Sequence, residues 1–149
     1  MTTIQLDTEI HTSIEKAFNL SLDIDFHKKS AAQTNEEAIA GVTSGIIKLN
    51  ETVTWRGKHL GIVLTHKSII SALEHPYHFI DEMVQGQFKS FKHRHYFEEK
   101  NGVVHMKDII TYTTPYGILG KLLDVLFIKN HMTQFITHRN LALKNELEA

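Results

Sequence analysis

The stretch TPYGILGKLLDVLFIKNHMTQFITHRNLALKNEL, Thr114 to Leu147, decides how this chain folds. Thr114 followed by Pro115 suits an N-cap and a first helical residue, because proline lacks an N–H that a helix start leaves unpaired anyway. Beyond it Ile118, Leu122, Val125, Met132, Phe135, Ile136, Arg139 and Leu143 recur at three- and four-residue spacing, which predicts one long helix. Leu119, Leu123, Leu126 and Phe127 widen the stripe. The first half is therefore apolar nearly all round and is expected to cover core or cavity. At the α-helical rise such an element is about 45 Å long, enough to span a small domain. Everything upstream must supply the surface it lies on.

Upstream, Ile4, Leu6, Thr8 and Ile10 alternate with polar neighbours and predict a first strand. Thr12 and Glu15 form a capping-box pattern that opens a short helix through Phe18. Leu22 and Phe26 after Ser21 predict a second, with His27, Lys28 and Lys29 at its carbonyl end. After a small, polar loop from Ala31, hairpin-like segments follow at 37–42, 45–49, 51–59, 62–73, 77–84, 88–98 and 103–113. Asn101-Gly102 accepts the positive φ angles of a tight hairpin, which makes the last two strands antiparallel neighbours. Pro76 removes a ladder donor and is read as starting a strand.

A length of 149 residues gives one domain over 1–149, and 42% hydrophobic with 22% charged residues describes a globular chain. The net charge of -1, with bases scattered among acids, argues against a nucleic-acid partner. With no cysteine there is no disulfide framework and no thiolate nucleophile. No apolar run approaches a membrane span, and Met1 to Leu6 lacks the pattern of a signal peptide. A cytoplasmic protein without membrane insertion is expected. No glycine motif cradles a phosphate, and no cofactor is expected. Eleven histidines make the charge sensitive between about pH 5 and 8.

The order of strand, two short helices, six to seven antiparallel strands and a long C-terminal helix resembles the helix-grip α+β fold of the SRPBCC superfamily. That superfamily includes START domains, the birch-pollen-allergen group and polyketide cyclase-like proteins. Residues 25–30 (DFHKKS), 79–83 (FIDEM), 86–88 (GQF), 91–97 (FKHRHYF) and 112–120 (YTTPYGILG) are similar to those of bacterial ligand-binding members, and the likeness covers essentially the whole chain. The resemblance implies a curved sheet wrapped around the long helix and an elongated pocket between them. It also turns part of the helix stripe, Leu122, Leu126 and Met132, into pocket lining.

Alternation places Phe91, His93, His95 and Phe97 on one strand face, and Met106, Asp108, Ile110 and Tyr112 on one face of the next. If the aromatics point toward the helix, the histidines line the pocket and Asp108 meets one of them, the pairing a general base requires. Glu51, Val53, Trp55, Gly57 and His59 form a further set. An inward Trp55 gives a flat apolar wall, and an inward Glu51 is a carboxyl in the same cavity. Arg139 either pairs with an acid of the sheet or holds an anionic head group. No compact set of further ligands stands beside His93 and His95, so no metal site is expected. His131 and His138 are read as the solvated side.

Binding of a small hydrophobic or amphipathic ligand, by a carrier or sensor, is the leading expectation. The candidate wall is Trp55, His59, Phe91, His93, His95, Phe97, Met106, Asp108, Tyr112, Leu122, Leu126, Met132 and Arg139. The alternative is a cofactor-independent cyclase or dehydratase using His93, His95, Asp108 and Glu51 for proton transfer. A protein partner docking on Lys89, Lys92 and Arg94 is a third class.

Overall fold

The alternation of Ile4, Leu6, Thr8 and Ile10 is realised in β1 (Thr2–Ile10), where Ile4 and Ile10 are buried, Leu6 and Thr8 are half-buried, and Gln5, Asp7 and Glu9 face solvent. The computed structural model, which describes residues 1–149, continues with α1 (Ile14–Ser21) and α2 (Ile24–Ser30). Ser13, rather than Thr12, caps α1, its side chain accepting the Lys16 N–H, because the chain stays non-helical one residue longer than the capping box suggests. Asp23 caps α2 by accepting from the N–H groups of Asp25 and Phe26.

The sheet follows as β2 (Glu37–Gly41), β3 (Thr52–His59), β4 (Ile62–Glu74), β5 (His78–Gln85), β6 (Ser90–Lys100) and β7 (Val103–Thr113). All neighbours are antiparallel in the order β1-β7-β6-β5-β4-β3-β2, so the two strands that flank the helix pair lie on opposite edges. Asn101 and Gly102 adopt φ of 53° and 77° and tie β6 to β7. The expected strand at 45–49 does not form. Its only ladder contact is an isolated bridge between Ile46 and Asp23, because the segment packs on the helix pair instead of the sheet edge.

After β7 the chain forms α3 (Gly117–Leu123), a π-helical segment (Asp124–Ile128) and α4 (Lys129–Glu148). The helix does not begin at Pro115. Tyr116 and Gly117 take left-handed φ of 68° and 54°, which turns the chain sharply off β7 before the first helical turn. A Cβ on Gly120 would come within 1.8 Å of the Pro115 carbonyl oxygen, so this turn requires glycine. The π turn adds a residue and directs Asp124 inward, where Tyr112 and Thr2 donate hydroxyl hydrogen bonds to it.

The helix stripe packs only in its second half, through Ile136, Arg139, Asn140 and Leu143. The first half covers less than its composition suggests. Ile118, Leu119, Leu122, Val125, Leu126 and Phe127 are exposed, because one face of a helix meets the sheet and nothing in the chain lies over the other. The main core sits under α1 and the end of α4, with Phe18 edge-on to His75, Phe79 and Phe97. A smaller cluster of Ile4, Ile110, Tyr112 and Ile136 closes the other side. This is the helix-grip arrangement. No helix is long and apolar enough to cross a membrane.

Candidate functional site

Between the two cores the inner face of the sheet and the α3–α4 helix leave a cavity of about 430 Å³. Trp55, Ile70, Phe79, Phe91, Met132 and Phe135 supply most of its apolar wall. Its lining includes the exposed Leu60, Ile62 and Tyr116, which places the opening between the β3–β4 turn and the start of α3. Six of the eleven histidines face it: His27, His59, His66, His93, His95 and His131.

Strand register gathers the polar end. Asp81 on β5 lies opposite His93 on β6, and His95 lies opposite Asp108 on β7. All four side chains therefore leave the sheet on its inner face. His93 Nε2 donates to Asp108 Oδ1 at 2.7 Å, and His95 Nε2 donates to Asp81 Oδ2 at 2.8 Å. The two imidazoles stack with centroids 3.7 Å apart. From α4, Arg139 Nη2 donates to Asp108 Oδ1 at 3.1 Å and Asn140 Nδ2 to Asp108 Oδ2 at 2.8 Å. Asp108 is thus saturated and fully buried, a strut between β6, β7 and α4 rather than a group open to a ligand. His95 Nδ1 is the buried side-chain nitrogen without a hydrogen-bond partner.

The titration behaviour follows from this geometry. Burial opposes charge on Asp108, but the Arg139 guanidinium beside it, the hydrogen bond from His93 and the nearby His95 imidazole hold its carboxyl well below the usual range. Burial likewise opposes charge on Asp81, and the His95 hydrogen bond with the neighbouring imidazoles outweighs it, holding the carboxyl at about 2. Burial, reinforced by His95, pushes His93 down to about 4 against the pull of Asp108 and Asp81. His93 is neutral at pH 7, with its proton on Nε2 and Nδ1 on the side of Asp81. Burial also lowers His66, and lowers His27 to about 4.

Of the side chains singled out from sequence, Trp55, His59, Phe91, His93, His95, Met132 and Arg139 line the cavity. Phe97 and Met106 point to the same side but are buried in the main core beneath α1. Tyr112 is covered by Phe88 and Phe91 and bonded to Asp124. Leu122 and Leu126 point outward, because the π turn and the inward Asp124 set the helix face. Glu51 precedes β3 and accepts the Lys48 N–H in a turn, so it is no acid of this cavity. Arg139 pairs with the sheet through Asp108, and Asp108 meets both histidines.

Several residues escaped the sequence reading. His131 lines the cavity and bonds His59 at 2.9 Å instead of facing water. His27 packs against Trp55 with ring centroids 4.1 Å apart and the rings tilted by 36°. Glu36 reaches His59 at 3.5 Å over Gly57, where a Cβ would collide with its carboxylate. Asp81 was legible, since Phe79 and Asp81 alternate on the same strand face, but its place opposite His93 needs the β5–β6 register.

No protein-family model and no curated protein sequence matches the chain. Its structure is similar to the Zhui aromatase/cyclase from Streptomyces sp. R1128, with TM-score 0.80 and 9% identity, covering 99% of this chain and 93% of that one. It is similar to a START superfamily protein from Mycobacterium smegmatis, with TM-score 0.74 and 11% identity over 98% and 97% of the two chains. It is also similar to ginseng major latex-like protein 151 from Panax ginseng, with TM-score 0.74 and 13% identity over 99% and 98%. At these identities the likeness is one of fold, the helix grip with its long C-terminal helix.

Proposed function

We propose that this helix-grip chain binds a small apolar or amphipathic molecule, as a carrier or sensor. The apolar body would lie against Trp55, Phe91 and Phe135, and the polar end would meet Asp81, His93 and His95. The cavity carries this reading: its volume of about 430 Å³ falls in the range of small-molecule sites, and its apolar wall adjoins the polar cluster of Asp81, His93 and His95. The exposed apolar residues around the opening favour the same ligand class. The fold shared with a START superfamily protein is consistent with it.

Trp55 is the only tryptophan and lines the cavity, so its fluorescence reports occupancy. Titration with a panel of fatty acids, isoprenoids and aromatic polyketides is expected to give saturable, one-to-one quenching by at least one class. Ser68→Phe fills the cavity from a buried wall position and is expected to abolish the quenching while the circular dichroism spectrum persists. Absence of quenching across the panel, with no small molecule released on denaturing protein from its own source, overturns the reading.

A second reading is proton-transfer catalysis of the cyclase or dehydratase type. The His93–Asp108 hydrogen bond favours it, because it fixes the His93 tautomer and leaves Nδ1 available as a base. The aromatase/cyclase among the structural neighbours points the same way. A bell-shaped pH–rate profile lost in His93→Gln would support it, and unchanged turnover in that variant would remove His93 from the chemistry.

A further inference from the structure

We propose that Asp81, His93 and His95 form a binding site for one divalent transition-metal cation at the polar end of the cavity, with Asp108 orienting the imidazoles. The register of β5 on β6 places the three side chains on one inner surface. Asp81 Oδ2 lies 2.8 Å from His95 Nε2 and 3.9 Å from His93 Nδ1, and each of the three residues offers a ligand atom within 4.8 Å of the other two. Metal–nitrogen and metal–oxygen bonds of about 2.0–2.2 Å place ligand atoms roughly 3–3.5 Å apart. Small rotamer adjustments therefore bring all three donors to a common centre.

The hydrogen bonds select the correct tautomers. His93 gives its Nε2 proton to Asp108 at 2.7 Å, leaving the Nδ1 lone pair on the side of Asp81. A ligating histidine whose other nitrogen is held by a carboxylate is the usual second layer of a metal site. His95 presents the complementary case. Its Nε2–H is held by Asp81, while Nδ1 is 3.3 Å from Asp108 Oδ1 and has no hydrogen-bond partner. A cation bound at Nε2 takes the place of that proton, and the neutral imidazole carries its proton on Nδ1 instead, facing Asp108. One event relieves the orphaned nitrogen and joins Asp81 to both imidazoles.

Charge points the same way. Asp81 and Asp108 bring two carboxylates to this wall, and Arg139, bonded to Asp108, offsets one of them. Asp81 remains the carboxylate facing the cavity beside two imidazoles. Three protein ligands with further positions directed into a cavity describe an open site rather than a closed structural one. Two imidazoles, one carboxylate and no thiolate suit zinc, iron(II), cobalt(II) or nickel(II) over magnesium or calcium.

The test uses the full chain, freed of metal with a chelator, and titrated with cobalt(II) alone. One equivalent is expected to produce visible d–d absorption that zinc(II) then displaces. Asp81→Asn and His95→Gln are expected to weaken binding at least tenfold, and Asp108→Asn, which removes the carboxylate that orients the imidazoles, by about 10–100-fold. An imidazole ¹⁵N spectrum of the wild type reads the site without any substitution: zinc(II) should move the His93 and His95 signals. Binding that survives Asp81→Asn and His95→Gln, signals that move at His59 and His131 instead, or absence of the one-equivalent complex overturns the proposal. No organic ligand enters this titration, so its failure leaves the cavity-binding reading standing.

Discussion

Arg139→Met asks whether the polar end of the cavity is held by charge compensation. The guanidinium lies 3.1 Å from Asp108 Oδ1, with Asp108 at 0% exposure and Arg139 at 8%. Methionine keeps much of the aliphatic stem, so most of the packing along α4 survives. What is lost is the only full positive charge bonded to a carboxylate that cannot reach water. His93 and Asn140 continue to donate to it, but both are neutral donors. Removing one partner of a buried ion pair costs on the order of 3–5 kcal/mol. For a chain of this length each kcal/mol lowers the melting temperature by about 2–4 °C, so a fall of roughly 6–20 °C is expected. Urea denaturation of the wild type, Arg139→Met, Asp108→Asn and the double variant forms a thermodynamic cycle. The double variant should recover more than half of the Arg139→Met loss, since an amide has no uncompensated charge to bury. A single variant within about 1 kcal/mol of wild type, or additive losses in the cycle, would refute the strut assigned to Asp108.

Two further predictions follow from burial and close contact. His27 is held at about 4 by burial, opposed by Glu36 and Asp81 and reinforced by Arg139 and His93, so the native state refuses a proton that the unfolded chain accepts below about pH 6.5. Stability should therefore fall as pH drops from about 6.5 to about 4, with a slope approaching about 1.4 kcal/mol per pH unit from this residue. His27→Gln should flatten that part of the curve, and urea midpoints that stay parallel to wild type would contradict the assignment. Gly120→Ala should cost about 1–3 kcal/mol, because its Cβ meets the Pro115 carbonyl, a backbone atom that cannot swing away. Ile118→Ala, two residues earlier and 86% exposed, should stay within about 0.5 kcal/mol, and equal melting curves for the two would remove the close approach as a constraint.

The elements legible in the sequence were those with a local physical signature. Alternation in β1 and β7 and the Asn101-Gly102 turn fix strands and a hairpin without long-range information. Helical periodicity similarly announced α4 through Ile136, Arg139 and Leu143. What failed depended on neighbours. The strand expected at 45–49 has the right residue types, but the helix pair takes its hydrogen bonds. The outward turn of Leu122 and Leu126 depends on the π segment, and nothing in composition distinguishes that from continuous α-helix. Within the site, His93 and His95 were visible because both lie on one strand at alternate positions. Asp81 became their partner only through the β5–β6 register, and the β6–β7 register, which sets Asp108 opposite His95, shows why Asp108, rather than Glu51, is the second carboxylate at hand.

The two halves of the closing helix divide the work of the cavity. Arg139 and Asn140 tie α4 to Asp108 on β7, and Ile136 and Leu143 pack beside them, so the polar end is built where the chain is most thoroughly buried. The first half has no such anchorage on its outer face. It is held at Asp124 by Tyr112 and Thr2 and at Gly120 by close approach to Pro115, with Leu119, Leu122 and Val125 left in solvent. Local opening costs least where few apolar contacts must break. On the proposed binding function, a ligand entering past Leu60, Ile62 and Tyr116 would displace the weakly packed half, while the relative positions of Asp81, His93 and His95 are kept by two neighbouring strands. The geometry proposed to recognise a polar end would then stay fixed through entry and release, because the mouth and the Asp81–His93–His95 cluster are supported by different contacts.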